Sequence, residues 1–548
     1  MLLLLVKLVL LVMISIASVK AFFSSASRFR GSTIHHRASS RLLSSEVSAD
    51  PVDFLTVPTD GSLHFGDYTT INSAAKVTER RYIDVRTLGT NEGPAEGDLV
   101  WIRGRLSNVR AKGNSCFTVI RSNSFYTVQA LHFKDKEQAD LSKSMIKFIG
   151  NTPLESIVDI CGTVASGNVK SASQSNVEIQ INKFFVVSKS ETVLPFLYED
   201  ACRPQSEIDA SQDTERPFAG VSQEARLNNR WLDLRVPANN AILRIRSGVS
   251  HFFREALMNE GFMEINTPKL IGGESEGGAE AFKFDYFGKD GVLAQSPQLY
   301  KQMAIASDLE RVFEIGPVFR AENSNTRRHL CEFTGLDFEM AITEHYDEAL
   351  LVIHKLFKHI FTGLEKKYSK EIEMVRQQFP SEPLQFTEEP LILHWEDAMQ
   401  MLQDAGHEVS VMDDLTGALE LALGAIVKEK YQSDFFILDR YPSSIRPFYT
   451  MHCADNPDYS NSYDVFIRGQ EICSGAQRCH VPELLEKQIL GKGMDLEPLQ
   501  SYIDSFRHGC PPHAGGGIGL DRVVFLFLGL DNIRKASMFP RDPNRLAP

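Results

Sequence analysis

The chain predicts an α+β protein in two main parts, and three observations carry that prediction. Five short runs of alternating apolar and polar residues, at 99–105, 115–120, 126–133, 156–164 and 177–187, have the two-residue period of strands with one buried face. A polar stretch at 194–230 containing Pro195, Pro204 and Pro217 then interrupts the pattern, as a hinge with little structure of its own does. Beyond it, strands and Gly-rich turns alternate with helical spacing, with no internal repeat.

Taken in order, the five strands place glycine at Gly104 and Gly162, where a small barrel must coil sharply, so 95–190 reads as an oligonucleotide-binding (OB) type barrel. Residues 191–235 form the hinge. In 238–259, Ile242, Ile245, Val249, Phe252, Phe253 and Leu257 repeat at helical spacing up to Gly261, a helix stop, and open a second domain at 236–548. The apolar run 523–528 reads as a further buried helix.

Composition excludes several classes. An apolar fraction of 43% and a charged fraction of 24% are those of ordinary globular proteins. The net charge of -13 repels phosphate backbones at long range, so indiscriminate nucleic-acid coating is excluded and any such contact needs local cations; Arg103, Arg105 and Arg121 supply them in the barrel. Eight cysteines without a C-x-x-C pair speak against a zinc site or a disulfide framework.

The first fifty residues differ from the rest. Residues 1–21 have a signal-peptide-like apolar core, and 22–50 are Ser-rich with Arg28, Arg30, Arg37 and Arg41 before the first acid, Glu46, which resembles a transit peptide. A signal core followed by A-F-F and a basic stretch resembles the bipartite presequences of algae with secondary plastids, so a plastid destination is expected. Mitochondrial and cytoplasmic destinations stay open. Residues 51–94 form a lead-in.

Specific motifs lie further on: G-F-M-E-I-N-T-P at 261–268, Q-S-P-Q-L-Y-K-Q at 295–302, F-R-A-E-N-S-N-T-R-R-H-L-C-E-F-T-G-L-D-F-E at 319–339, S-G-A-Q-R at 474–478 and H-A-G-G-G-I-G-L-D-R at 513–522. The first, third and last resemble motifs 1, 2 and 3 of class II aminoacyl-tRNA synthetases, in that order. R-H-x-x-E-F-T-G-L-D, with the second and fourth strings, resembles the aspartyl-tRNA synthetases of eukaryotic and archaeal type. Gly515-Gly516-Gly517 is not a P-loop, since no G-K-[ST] follows.

The resemblance implies a class II catalytic domain built on an antiparallel sheet flanked by helices. It implies ATP-dependent attachment of L-aspartate to tRNA(Asp) through an aspartyl-adenylate, with release of AMP and pyrophosphate. Magnesium would accompany ATP. A homodimer joined through motif 1, with Pro268 at its interface, is expected, without stable membrane association of the mature protein. An enzyme that also charges tRNA(Asn), or a catalytically silent tRNA-binding paralogue, remains as an alternative.

In that chemistry two anions meet while charge grows at phosphorus, so cations must stand there. Arg320 is suited to bridge carboxylate and α-phosphate, and Arg522 to hold the γ-phosphate, because guanidinium forks match both groups and stay charged. With Glu471 they form the expected catalytic set. Resemblance adds Glu322, Arg328, His329, Leu330, Phe333, Gly519, Leu520 and Asp521 around ATP.

Asp464 and Glu471 flank V-F-I-R-G-Q, a hairpin turning at Arg468-Gly469, and are expected to face one another and hold magnesium with Ser474. Glu471 and Ser474 are an odd number of residues apart, so Gly475 is expected to bend the strand. For aspartate, Arg478 and Lys301 are the expected carboxylate receptors, and Asp337, Gln298, Ser296, Ser275 and Glu276 hold the ammonium and close over it, with Ser474 assisting. For tRNA, Phe117, Gln129 and Glu178 match anticodon-contacting positions, Arg105 adds charge, and Asn325 and Arg327 are expected at the acceptor stem.

Overall fold

Alternation along the first strands has a direct structural counterpart. The computed structural model describes residues 63–68, 71, 73, 80–273 and 281–548; the presequence expectations at 1–50, and Ser275 and Glu276, lie outside the described residues. Strands β1 (Phe65–Asp67), β2 (Leu99–Lys112), β3 (Ser115–Ser122), β4 (Tyr126–Phe133), β5 (Ile157–Ser166) and β6 (Val177–Ser188) form a sheet in the order β1-β6-β4-β3-β2-β5. An additional β5–β6 pairing closes it into a barrel, with helix α1 (Ala139–Asn151) inserted before β5. In β3, Cys116, Thr118 and Ile120 point into the core while Phe117 is 38% exposed, the pattern expected when one face is buried.

Both glycines sit at close approaches. A Cβ on Gly104 would lie 2.6 Å from Ile120, and one on Gly162 2.4 Å from Ile179, next to the register shift at Cys161/Gly162. Strand β2 runs seven residues beyond the span read from alternation. Its outer part pairs with β3 beyond a bulge at Ser107, which breaks the two-residue period, while Val109 still packs against the barrel core.

The hinge is more ordered than its composition predicts. It carries short helices at Tyr198–Cys202, Gln205–Ala210, Gln223–Asn228 and Arg230–Asp233. The buried Arg230 explains the order: it pairs with Asp233 and donates to the carbonyls of Lys535, Ser537 and Met538, tying the hinge to the far end of the chain.

Beyond the hinge, α2 (Pro237–Asn259) buries the predicted stripe and ends before Gly261, whose φ of +83° favours glycine. Strands β7 (Met263–Glu264), β8 (Leu270–Ile271), β9 (Lys283–Tyr286), β10 (Lys289–Leu293), β11 (Arg311–Phe319), β12 (Glu332–Ala341), β13 (Ile392–His394), β14 (Phe435–Asp439), β15 (Ser462–Ile467), β16 (Gln470–Gln477) and β17 (His513–Gly519) follow. Eight of them form one sheet in the order β13-β14-β15-β16-β17-β12-β11-β7, antiparallel from β14 to β11. Helices α3 (Gln298–Ala306), α4 (Asp347–Lys367), α5 (Gly417–Tyr431) and α6 (Leu520–Phe527) complete the elements used below.

Parity along the central strands assigns the two faces of this sheet. Leu336, Phe338 and Met340 of β12 and Ala514 and Ile518 of β17 join the apolar faces of α2, α4 and α6 in one core. The odd-numbered residues of β12 therefore point the other way, into a cleft. Among the described residues, no helix is long and apolar enough to cross a membrane.

Because a methyl group at Gly162 has no free volume, Gly162→Ala is expected to destabilise the protein by about 1–3 kcal/mol, measured by denaturant unfolding followed by barrel fluorescence from Trp101.

Candidate active site

Four neighbouring strands, β16, β17, β12 and β11, form the floor of a cleft of about 440 Å³. On β12 the cleft-facing positions are Phe333, Gly335, Asp337 and Glu339, and the opposing positions on β17 are Gly519, Gly517 and Gly515. Those glycines leave the room the carboxylates need: a Cβ on Gly515 would sit 2.5 Å from Glu339 Oε2, and one on Gly517 3.0 Å from Asp337 Oδ1. The Gly-rich run thus serves close approach of side chains from β12.

Two cations enter this floor from distant segments. Arg478, just past β16, donates from Nε to Glu339 Oε1 (3.0 Å) and from Nη2 to the Gly515 carbonyl (2.9 Å). Lys301 of α3 is fully buried, with Nζ 3.0 Å from Asp337 Oδ1 and 3.6 Å from Glu339 Oε2. Burial alone would raise the Glu339 carboxyl, but Arg478 and then Lys301 outweigh it and hold the group below the usual range. For Asp337 burial prevails over Lys301 and the carboxyl is raised. Lys301 lies beneath the floor, whereas Arg478 lines the cleft, so the expected pair of receptors is split: one cation borders the cavity and the other supports it.

Arg320 follows β11 and lines the cleft 5.5 Å above the ring of Phe333, with Glu322 Oε1 4.0 Å from Nη1. Among the described residues its buried Nε has no hydrogen-bond partner, a cost that a bound anion would remove. Arg522 opens α6 and donates from Nη1 to the Glu471 carbonyl (3.0 Å). His329 contacts Thr326 Oγ1 at 2.6 Å, and burial followed by Arg522 pushes its imidazole down, keeping it neutral. Arg328 pairs with Glu420 of α5 at 2.9 Å, and Asp521 accepts from Arg246 at 2.9 Å. Leu330 and Gly519 also line the cleft, while Leu520 belongs to the core behind it and does not.

The β15–β16 hairpin turns at Arg468 and Gly469, both with positive φ, as expected. Its register corrects the expectation that Asp464 and Glu471 face each other. Ser474 stands opposite Asp464 and Phe466 opposite Glu471, with a bulge that leaves Ile472 unpaired. That extra residue brings Glu471 and Ser474 onto one face despite their odd spacing. Gly475 does not bend the strand; it makes room for the Tyr463 ring, 2.3 Å from where its Cβ would be.

Between Asp464 and Ser474 sits a residue that pattern reading missed. Arg446 donates to Asp464 Oδ1 (3.0 Å) and Ser474 Oγ (3.1 Å) over the ring of Tyr441. Glu471, raised by burial and then by Asp464, lines the cleft with Ser474. Among the described residues no cluster of three metal-ligating side chains forms. Two hard oxygen donors beside a cationic cleft nevertheless fit magnesium, which keeps waters and substrate phosphates in its shell.

The remaining candidates divide between the cleft and other surfaces. Ser296 accepts from the Gln298 amide (3.2 Å), and Gln298 donates to Glu339 (3.3 Å), both at the cleft. Asn325 accepts from Arg534 (2.7 Å), and Arg327 is exposed on the same loop. Phe117, Gln129 and Glu178 share the outer face of the barrel, where Gln129 donates to Glu178 at 3.2 Å. Pro268 is exposed beside the edge strand β7. Of the barrel arginines, Arg121 is buried against Glu155 and so contributes no free surface charge.

Residues 222–543 match the family model "tRNA synthetases class II (D, K and N)". The chain belongs to the class II tRNA synthetases. Within that class its similarity lies with aspartate ligases: it is 52% identical over 82% of its length to "Aspartate--tRNA ligase, cytoplasmic" of Homo sapiens, covering 89% of that protein. To "Aspartate--tRNA ligase 1, cytoplasmic" of Arabidopsis thaliana it is 48% identical over 89% of its length and 90% of the relative's. The solved aspartyl tRNA synthetase of Entamoeba histolytica superposes with a TM-score of 0.81 at 44% identity, over 91% of this chain and all of that one. These names also correct the expected plastid destination: the relatives are called cytoplasmic, and the presequence reading rested on residues 1–50, outside the described residues. Class II synthetases use ATP with magnesium.

His513 provides a pH handle. Its Nδ1 lies 2.8 Å from the Pro511 carbonyl and its Nε2 3.0 Å from Gln302 Nε2, so Nδ1 carries the proton and Nε2 accepts. Burial pushes its imidazole down to about 4, although Glu339 opposes the shift. Between its unfolded value of about 6.5 and 4, the unfolded chain therefore binds the extra proton and stability falls as pH falls. His513→Gln is expected to flatten this part of the thermal-midpoint profile.

Proposed function

We propose that this chain activates L-aspartate with ATP in the β16-β17-β12-β11 cleft and transfers it to tRNA(Asp). The observation that carries the reading is Arg478, buried on a charge-balanced floor with one edge of its guanidinium bordering the cavity. A carboxylate reaching that edge gains a charge-assisted bond where water is scarce. The amide of asparagine cannot replace the charge.

In the first step an oxygen of the aspartate α-carboxylate bonds to the α-phosphorus and the bond to pyrophosphate breaks, its electron pair leaving with pyrophosphate. Arg320 bridges the two reacting anions, Phe333 stacks on adenine beside Glu322, and Arg522 with neutral His329 meets the phosphates. Arg328, Leu330, Gly519 and Asp521 complete the wall of the nucleotide site. Asp337, Gln298 and Ser296 orient the ammonium. Glu471 and Ser474, with Asp464 behind them, would hold magnesium, which when bound would neutralise charge on the phosphates.

In the second step a terminal ribose hydroxyl of tRNA attacks the adenylate carbonyl and AMP departs. The outer face bearing Phe117, Gln129 and Glu178 receives the anticodon, Arg105 meets the backbone, and Asn325 and Arg327 meet the acceptor stem. The parts act as 95–190 for anticodon binding, 191–235 as hinge and 236–548 for catalysis.

Aspartate-dependent exchange of pyrophosphate into ATP, followed by charging of tRNA(Asp) and tRNA(Asn), tests the reading. Wild type is expected to exchange with aspartate and not asparagine; exchange with neither amino acid would overturn the assignment. Arg478→Leu should lower kcat/KM for aspartate by an amount equivalent to about 2–5 kcal/mol, read in the same assay.

Two copies pair through the sheet edge around Pro268, where Met263 (52%) and Leu270 (56%) are exposed apolar residues on either side of it in the sequence. Sedimentation velocity is expected to give a dimer for wild type and a shift toward monomer for Met263→Glu; a monomeric wild type would remove this part of the proposal.

A further inference from the structure

A second concentration of positive charge lies away from the cleft. Where the barrel meets the entry to the catalytic domain, Arg103 and Arg105 of β2, Arg121 of β3 and Arg235, two residues before α2, line a recess of about 210 Å³. Asn123 and Ser124, in the β3–β4 turn, line it too and have left-handed backbones (φ +51° and +62°). Phe125 fixes that turn against the second domain, with the Arg244 guanidinium 4.3 Å from its ring.

The four guanidinium groups meet two carboxylates. Asp159 takes Arg103 at 2.6 Å, and Glu155 is shared between Arg121 at 2.8 Å and Arg235 at 2.9 Å. Arg105 donates to a backbone carbonyl, that of Glu155, at 3.1 Å. Burial and the nearby Arg235 push the Arg105 guanidinium down from its ordinary value despite Glu155. A network built only to join two domains would match its charges, because buried unmatched cations cost free energy. An excess of positive charge around a small open recess is the arrangement that receives an anion.

We propose that this recess binds a phosphate group, presented by the sugar–phosphate backbone of tRNA between its anticodon and acceptor ends. The inference rests on the tRNA-charging reading and adds to it a contact at the domain junction. A free phosphate anion carries the same chemistry, so the test has two arms.

Full-length wild type is compared with Arg105→Gln and Asn123→Asp in filter binding of a tRNA(Asp) transcript across a salt series, and in calorimetric titration with inorganic phosphate. Asn123→Asp is nearly isosteric, adds one negative charge to the rim and keeps a residue type that tolerates a left-handed backbone, so it guards against loss of folding. Both variants are expected to raise the tRNA Kd by roughly three- to tenfold at low salt, and Arg105→Gln to make the slope of log K against log salt shallower by about one. Phosphate binding lost in both variants with tRNA affinity unchanged would assign the recess to a free anion and overturn the tRNA contact. No change in either arm would overturn the site altogether. Should wild type neither bind nor charge the transcript, the ligase reading has failed, and the phosphate arm still decides the recess.

Discussion

Glu339 lies fully buried between Arg478 and Lys301, and the placement of these two cations in the cleft floor depends on that ionic contact. Removing a carboxylate from water is costly, and the cost is recovered only when its partners are close and its oxygens are satisfied. Here Gln298 adds a third donor, and the glycines of β17 let the carboxylate lie flat against the neighbouring strand. The result is orientation more than stability: Arg478 is held with one edge committed to the floor and the other bordering the cavity.

The same logic extends outward through strand parity. An antiparallel centre lets residues of β12, β16 and β17 alternate between an apolar core under three helices and a polar cleft. One bulge, at Ile472, changes that parity on β16 and so brings Glu471 beside Ser474. Without it Glu471 would point into the core, where an unpaired carboxylate could not be accommodated.

Much of this was legible from residue order. Alternation located the barrel strands, the 3.6-residue stripe located α2, and Arg468-Gly469 located the hairpin turn, because each depends on neighbours in sequence. The bulge was not legible, since two registers of the same hairpin differ by one residue and only packing against Tyr463 and β17 selects between them. Arg446 and Glu339 escaped for a related reason: one lies in a segment without periodicity, and the other follows Asp337 as an ordinary alternate strand position. The length of β2 was underestimated because the bulge at Ser107 interrupts its alternation. Composition likewise concealed the hinge helices, which Arg230 stabilises by donating to carbonyls more than three hundred residues away in sequence.

A chain with a net charge of -13 that handles anionic partners must concentrate cations locally, and it does so by holding arginines on buried carboxylates. The direct test of that principle is a double-mutant cycle between Glu339 and Arg478, using Glu339→Gln, Arg478→Met and both together in denaturant unfolding. Each single change should cost about 3–5 kcal/mol, and the double change should cost less than their sum by about 1–3 kcal/mol. Strictly additive losses would contradict the account, since the two groups would then not depend on each other.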